Sequence, residues 1–402
     1  MKKYLSLLKN NRNYSLILIA DLISNMGDIL FTFAISWKVL EATSSVLMAS
    51  SVYFFEYLAK AFFSLVSGII IDRISRKKLI LLGMTVQAAV LMIFIPFIKQ
   101  SGYGISSLSL IFILYIFSTL VKSSQNAMIP DYVSKEQLIT ANSFDVIVNR
   151  VASMCMLAIA GIIVVNVDMS LILMINAVSF IIPAILIWRL LPEIKLPDKK
   201  DKKGVKHELK DGISFIKSDS FVKSFVIMLV ILNFPYSIMN TFPLAYSNII
   251  LGINAAEFGF IKTAVFISSI LAMYLIGSRE IFNKKPVLFF NIGVLGCGLI
   301  MLFFIPVFKN NLFTTALIFM VYEFFDMLTQ PVYILLRGKI PTEIRGRVYG
   351  IIDAVILTAV PVYTLISGYI MDKAGIHVMA YILSTAFVIC FFIGRKMFKQ
   401  DI

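Results

Sequence analysis

Acidic side chains occur inside several long apolar runs of this sequence, where they could bind and release protons. In the first run, Asp21, Asn25 and Asp28 follow one another at intervals of four and three residues, so they share one face of a helix. Glu323 and Asp326 lie one turn apart in a later run. Because burial disfavours the charged form of a carboxyl group, we predict reversible protonation at Asp28 and a proton shared between Glu323 and Asp326. Helix packing is the alternative role for each.

A second pattern places opposite charges together. Glu56 and Lys60 lie one turn apart near the middle of another apolar run. An ionisable side chain at the centre of a membrane helix costs about 2.5–3.5 kcal/mol on insertion scales, and such side chains usually face a partner or a cavity. We interpret Glu56 and Lys60 as an intrahelical ion pair, with a direct role in function as the alternative.

Residue sets typical of covalent catalysis or metal binding are missing from the sequence. Cys155, Cys297 and Cys390 all fall in apolar runs without the spacing of metal ligands, and His207 and His377 are far apart. No Gly-Lys-Ser/Thr loop that would cradle the phosphates of ATP is present. We therefore expect neither an enzyme nor an ATP-driven pump, and no cofactor or metal.

The elements that must position these charges are membrane-spanning helices. Of 402 residues, 59% are hydrophobic and 15% are charged, and the mean hydropathy is +0.89. Soluble domains have about 45–50% apolar and about 25% charged residues. We predict an all-α membrane protein with twelve transmembrane helices. The predicted spans are 14–40, 45–71, 79–98, 104–128, 143–165, 169–191, 221–247, 256–278, 286–308, 311–336, 348–371 and 376–397.

The loops between the spans alternate in charge. Those on one side are rich in Lys and Arg, whereas the opposite loops hold Lys99, Lys309 and Lys373. Since cytoplasmic loops accumulate basic residues, we predict a bacterial plasma-membrane protein with both termini in the cytoplasm. The net charge of +14 follows from this topology and from contact with anionic lipid. It does not indicate a nucleic-acid partner.

One long polar segment divides the spans into two sets of six. We predict an N-terminal six-helix bundle at 1–191, a cytoplasmic linker at 192–218 and a C-terminal six-helix bundle at 219–402. The halves also repeat, because KKLILLG at 77–83 and KKPVLFF at 284–290 each follow the second span of their half. Insertion of both halves in the same direction implies parallel repeats, with a cavity between them.

Four motifs resemble those of one transporter family. "GIIIDRISRKK" (68–78) is similar to the loop between the second and third spans of major facilitator superfamily proteins, and "SNMGD" (24–28) to the first span of their bacterial drug-exporter branch. "NAMIPDYVSKEQLITAN" (126–142) and "KIPTEIRGRVYG" (339–350) resemble loops of the bacterial drug-exporter branch that is typified by macrolide-efflux proteins. The resemblance covers nearly the whole chain and implies two six-helix bundles around a central cavity.

The resemblance assigns a gating role to the loop after the second span. It places Asp72 at the N-terminal end of the eleventh span, where free N–H groups and partial positive charge suit a carboxylate. These contacts would form when the cytoplasmic mouth closes, whereas the alternative is that the charges only set topology. The predicted gating motif comprises Gly68, Asp72, Arg73, Arg76, Lys77, Arg345 and Arg347.

The resemblance also implies that the first and tenth spans border the cavity, which strengthens the case for Asp28. Further candidate cavity residues are Asp21, Asn25, Tyr236, Phe242, Tyr322 and Phe325. Two features of proton-coupled exporters in this family are missing: an Arg within the fourth span, where Lys122 follows about two turns later, and a Gly-Pro-rich fifth span. The resemblance therefore does not imply their usual proton route.

Together these patterns predict a secondary active transporter that exports an amphipathic drug-like compound, such as a macrolide or another antibiotic. Export would proceed by alternating access and be driven by the proton gradient. The expected partners are membrane lipid, the small amphipathic substrate and the coupling proton, and we expect a monomer. Two alternatives stay open: a lipid or lysolipid flippase, which needs the same apolar cavity, and a non-transporting sensor on the same fold.

Overall fold

The computed structural model describes residues 7–71, 73–134, 137–190, 205–341 and 344–398. Within these ranges twelve spans are long and apolar enough to cross a membrane, which confirms the predicted all-α architecture. In chain order the helices are α1 (Arg12–Thr43), α2 (Val46–Ile71), α3 (Arg76–Ser101), α4 (Ile105–Tyr132), α5 (Leu138–Asn166), α6 (Met169–Leu190), α7 (Val205–Ser218), α8 (Ser220–Ile238), α9 (Phe242–Ala245), α10 (Ala255–Ser278), α11 (Glu280–Lys284), α12 (Pro286–Met301), α13 (Leu312–Met327), α14 (Pro331–Lys339), α15 (Arg345–Ala374) and α16 (Ile376–Met397).

The chain divides into two compact units. The first contains Met1–Ser44 and Ser51–Asp198, and the second contains Ser45–Ser50 and Lys199–Ile402. Spans one to six, α1 to α6, therefore belong to the first unit except for the first turn of α2.

Hydrogen bonds explain why that first turn belongs to the second unit. The Asp372 carboxylate accepts hydrogen bonds from the Ser45 hydroxyl at 2.6 Å and from the backbone amides of Val46 and Leu47 at 2.6 and 3.1 Å. These amides have no partner inside their own helix, so Asp372 caps α2.

Close helix packing within the first unit depends on Gly27 of α1. A Cβ atom at this position would lie 2.0 Å from the Ser179 hydroxyl oxygen and 2.4 Å from the Asn176 side-chain oxygen, both on α6. Only glycine permits this approach, as small residues do at membrane helix contacts. The face of α1 that contains Gly27 therefore packs against α6, next to the position of Asp28.

The second unit interrupts two spans that the sequence predicts as continuous. Span seven stops at Ile238 and resumes at Phe242, and span ten stops at Met327 and resumes at Pro331. Pro243 and Pro331 sit at the first turns of the restarted helices, where a proline ring clashes with the carbonyl four residues earlier. The span-ten break lies directly after Asp326.

The polar segment predicted as a linker contains a helix of its own, α7. Its Asp211 forms an ion pair with Arg347 of α15 at 3.1 Å. Gly212 packs so closely that a Cβ there would lie 2.6 Å from the Ile351 side chain. The end of the segment is thus packed against the start of span eleven.

Candidate functional site

Asp28 lies at the middle of α1, which spans Arg12–Thr43. Its Oδ1 atom is inaccessible to solvent and has no hydrogen-bond partner in the described part of the chain. Ser118 of α4 contacts the carboxyl group, and Lys60 and Glu56 of α2 are the charged residues with the strongest electrostatic effect on it. Asp28 is therefore a mid-membrane carboxyl group with an open acceptor position.

Glu56 and Lys60 form the ion pair that the sequence predicts. Lys60 Nζ lies 2.5 Å from Glu56 Oε1, and it also lies 5.3 Å from the ring centroid of Tyr115 and 5.4 Å from that of Tyr57. The Tyr115 hydroxyl in turn forms a hydrogen bond with Thr32, one turn after Asp28. Rings within about 6 Å of an ammonium group stabilise it, so Lys60 is held by a carboxylate and two aromatic faces.

A second polar cluster lies two turns from Asp28 along α1. Lys122 Nζ is 2.8 and 2.7 Å from the two carboxylate oxygens of Asp21, whose side chain is buried. Asn149 of α5 donates hydrogen bonds to Asp21 at 3.0 Å and to Asp145 at 3.1 Å, and Asn25 donates to Asn149 at 2.9 Å. Asp21 and Asn25, which the sequence names as cavity candidates, are thus engaged by spans four and five.

In the second unit, Asp326 lies beside the break in span ten. Its backbone carbonyl accepts hydrogen bonds from the Thr329 amide at 2.9 Å and the Thr329 hydroxyl at 2.7 Å, which close the end of α13. The Tyr236 hydroxyl of α8 lies next to the Asp326 carboxyl group without reaching normal hydrogen-bond geometry. Tyr236 of span seven and Asp326 of span ten, both of which the sequence predicts as functional residues, are therefore neighbours in the structure. A proton shared between Glu323 and Asp326 stays a prediction.

Phe242 is packed among other aromatic rings, and its assignment to the cavity stays a prediction. Its side chain is 0% exposed, with ring centroids of Tyr246 at 5.9 Å, Phe304 at 5.3 Å and Phe319 at 6.5 Å. Phe242 begins the short helix after the span-seven break, and that kink turns its ring into the aromatic core.

The other aromatic residues that the sequence predicts to line the cavity, Tyr236, Tyr322 and Phe325, lie near Asp326. Tyr236 and Tyr322 contact the Phe387 ring of α16 at 5.5 and 6.1 Å between centroids. Phe325 covers Gly296 of α12, where a Cβ atom would lie 2.1 Å from its ring. Phe325 therefore fixes the contact between spans nine and ten.

Part of the predicted gating motif lies outside what the structure describes. This holds for Asp72 and for the side chains of Gly68 and Arg345, so the Asp72 contact stays a prediction. Arg73 lies in an exposed turn at the end of α2.

The described basic residues of the motif have partners that the sequence does not indicate. Arg76 forms an ion pair with Asp131 at the end of α4. Lys77 donates a hydrogen bond to the Trp188 carbonyl at 3.0 Å. With Arg347 bound to Asp211 as well, these residues tie the ends of neighbouring helices together within each unit.

Lys262 of α10 is a charge inside a membrane span that the sequence predictions do not include. Its Nζ lies 5.4 Å from the Phe258 ring centroid, and Glu323 of span ten acts on it electrostatically. The sequence does contain the signal for this residue, because a single Lys inside an apolar run indicates an intramembrane charge at Lys262 just as it does at Lys60. Among the described residues, no group of three or more His, Cys, Asp or Glu side chains could hold a metal ion.

Comparison with known proteins identifies the family. The sequence profile of the Major Facilitator Superfamily matches residues 17–353 and 236–401. The chain belongs to this superfamily. As a member of the major facilitator superfamily it is a multi-pass membrane transporter rather than an enzyme. The predicted macrolide-efflux branch is a finer assignment that stays a prediction.

Solved structures of other transporters share the fold of this superfamily member. The nucleoside transporter NupG has a TM-score of 0.76 at 15% identity, covering 96% of this chain and 99% of that one. A POT family transporter in complex with 5-aminolevulinic acid has a TM-score of 0.73 at 13% identity, covering 97% and 96%. A bacterial homologue of the iron transporter ferroportin in the inward-facing state has a TM-score of 0.68 at 14% identity, and the match covers 96% of this chain and 98% of that one. A search of curated protein sequences gave no match.

Proposed function

We propose that this superfamily member is a secondary active transporter that exports an amphipathic drug-like compound in exchange for protons by alternating access. The observation that carries the proposal is the open acceptor position of Asp28 at mid-membrane. A proton or a substrate cation can occupy that position, and binding of one weakens binding of the other. Substrate binding and protonation would therefore be linked reciprocally.

The contrast with Asp21 supports a functional role for Asp28. Both oxygens of Asp21 are bonded to Lys122, and Asn149 adds a further hydrogen bond. A buried carboxylate with a structural role is satisfied in this way, as buried polar groups generally are. Asp28 leaves one oxygen without a partner in the described part of the chain. We infer that Asp21 stabilises the helix packing and that Asp28 exchanges ligands.

Aromatic side chains support an amphipathic substrate. In the second unit, Tyr236 and Tyr322 lie near Asp326, which combines ring faces with a carboxylate that suits a cationic or neutral ligand. The similar structures are those of a nucleoside transporter, a homologue of an iron transporter and a POT family transporter in complex with 5-aminolevulinic acid. The shared fold is therefore compatible with several substrate classes.

The test combines a susceptibility panel in an efflux-deficient host with efflux from proteoliposomes under an imposed pH gradient. We expect tolerance of at least one amphipathic compound to rise with expression, and its efflux to stop when the gradient is collapsed. Efflux that is indifferent to the gradient would exclude proton coupling. Movement of lysolipid, without movement of any drug in the panel, would favour a flippase instead.

Orientation in the membrane yields a separate prediction. We propose that both termini are cytoplasmic, as the distribution of basic loops indicates. A membrane-impermeant thiol reagent applied to intact cells should then modify Lys309→Cys and spare Lys285→Cys. Both side chains are exposed, at opposite ends of span nine. Exposed Cys155 should first be changed to serine, whereas Cys297 and Cys390 are buried. Labelling of Lys285→Cys from outside would refute the orientation.

A further inference from the structure

Lys60 of α2 places its ammonium group among side chains that suit an organic cation. Its Nζ lies 2.5 Å from Glu56 Oε1, 5.4 Å from the ring centroid of Tyr57 and 5.3 Å from that of Tyr115. We call Glu56, Tyr57 and Tyr115 the ammonium seat. Aromatic faces within about 6 Å attract ammonium groups, and proteins use them to recognise organic ammonium ligands. Glu56 adds the opposite charge.

Different helices of the first unit build the seat. Glu56 and Tyr57 lie on α2, whereas Tyr115 lies on α4 and is only 3% exposed. The Tyr115 hydroxyl forms a hydrogen bond with Thr32 of α1. The ring of Tyr115 is thus held by contacts that do not involve Lys60, so the seat should keep its shape when another cation replaces the lysine.

The Lys60 side chain is more accessible than the carboxylate it binds. Its side chain is 37% exposed, against 12% for that of Glu56. Lysine places its charge on a flexible aliphatic stem, so the ammonium group can leave the seat while the backbone of α2 stays in place. A cation from outside can then take the position beside Glu56.

The seat also adjoins Asp28, the proposed proton-binding residue. Tyr115 and Ser118 lie three residues apart on α4, which places them on the same helix face. Tyr115 is the ring beside Lys60, and Ser118 contacts the Asp28 carboxyl group. A ligand in the seat would therefore lie next to Asp28.

A purely structural role for the Glu56–Lys60 pair does not account for these contacts. Replacement of a buried ion pair by apolar residues of similar volume is often neutral or stabilising. A helix that only has to cross the membrane would therefore be served by apolar residues at both positions. A pair within one helix also has no need of the Tyr115 ring from another helix.

We propose that the ammonium seat binds the amino group of an amphipathic organic amine, and that Lys60 occupies the seat until the amine displaces it. The inference rests on the proposed function, because it names the substrate class of the same transporter. Lys60 acts as an internal competitor. It keeps Glu56 paired when no substrate is bound, and it lowers the apparent affinity for the amine.

Equilibrium dialysis of radiolabelled octylammonium tests the seat, with the full-length protein in lipid nanodiscs and the signal of empty nanodiscs subtracted. Lys60→Ala removes the internal competitor. A minor conformation, such as the vacated seat, is populated to about 10% at most, so affinity for octylammonium should rise about tenfold or more. Affinity for octanol, which has the same chain without the charge, should not change. Lys60→Arg keeps a cation in the seat and should bind octylammonium as the wild type does.

Substitutions of Tyr115 separate the seat from an effect of net charge. In the Lys60→Ala background, Tyr115→Leu removes an aromatic face and should lower octylammonium affinity about fivefold, whereas Tyr115→Phe should retain the gain. Lys38→Ala removes a positive charge that is paired with exposed Glu41 in the same unit, and it should bind as the wild type does. Equal affinities of Lys60→Ala and the wild type would overturn the proposal. A gain that Tyr115→Leu leaves undiminished, or that octanol shares, would also overturn it.

Chemical rescue tests the seat even if Lys60→Ala is unstable. The n-butylammonium ion has the atoms of the lysine side chain beyond Cα, so it should raise the unfolding midpoint of Lys60→Ala and leave that of the wild type unchanged. Butanol should raise neither midpoint. A destabilised Lys60→Ala that n-butylammonium does not stabilise would overturn the proposal.

The binding experiment is independent of the transport experiment. Dialysis is done without a pH gradient, so absence of proton coupling would leave the gain in Lys60→Ala intact. Gradient-driven efflux of a drug by the wild type, without any gain in octylammonium affinity in Lys60→Ala, would refute the ammonium seat and leave the proposed function standing.

Discussion

Replacement of Asp28 by asparagine is expected to abolish proton-driven transport and leave the folded protein in the membrane. Asparagine has the size of a protonated aspartic acid but cannot ionise, so it fixes the site in the uncharged form. Oδ1 of Asp28 has no hydrogen-bond partner among the described residues, so little stability should be lost. Because the variant cannot bind and release a proton at this site, the initial rate of gradient-driven efflux from proteoliposomes should fall to the rate measured without a gradient.

Three further variants sharpen this experiment. Asp168→Asn is the control, because Asp168 lies between α5 and α6, where hydrogen bonds from Ser170 lower its pKa. That variant should transport like the wild type. Glu323→Gln and Asp326→Asn test whether the acids of span ten share the role. Undiminished gradient-driven efflux by Asp28→Asn would remove this residue from the coupling mechanism, whereas a loss confined to Asp326→Asn would move the proton site to the second unit.

Removal of the lysine from the Asp21–Lys122 pair is expected to destabilise the first unit. Lys122→Met leaves the Asp21 carboxylate, whose side chain is only 7% exposed, without its cation. Breaking a buried ion pair costs about 3–5 kcal/mol. The Lys122 side chain is 47% exposed, so solvent screening lowers our expectation to about 1–2 kcal/mol. Thermal unfolding followed by size-exclusion chromatography should show a midpoint several degrees lower.

A double-mutant cycle separates this pair from other effects of the substitution. Asp21→Asn/Lys122→Met removes both charges, and asparagine can still bond with Asn149, so most of the lost stability should return. Lys38→Met is the control, because its partner Glu41 is exposed at the end of α1 and the pair should contribute little. Additive losses in the double variant would mean that Asp21 and Lys122 do not stabilise each other.

Much of the fold was predictable from sequence because the bilayer constrains chain composition. A helix needs about 20 apolar residues to cross a core of about 30 Å, and runs of this length are visible without any knowledge of packing. The Glu56–Lys60 pair was predictable for a local reason: residues four apart lie on the same helix face. The breaks in spans seven and ten had a signal as well, in Pro243 and Pro331. Proline alone is ambiguous, since Pro235 and Pro361 lie inside helices.

Sequence by itself therefore determined the number of spans, the charges inside them and the choice of Asp28 as a candidate proton-binding residue. Only the tertiary structure decided which charges meet. Lys122 and Asp21 are 101 residues apart, and Arg347 and Asp211 are 136 apart, so no local spacing relates them. The burial of Phe242 was not visible in the sequence for a related reason. Most faces of a membrane helix are apolar, so hydrophobic periodicity does not reveal which face packs inward. Rotation about each helix axis is set by close contacts such as those of Gly27 and Gly296, and that rotation separates the satisfied Asp21 from the open Asp28.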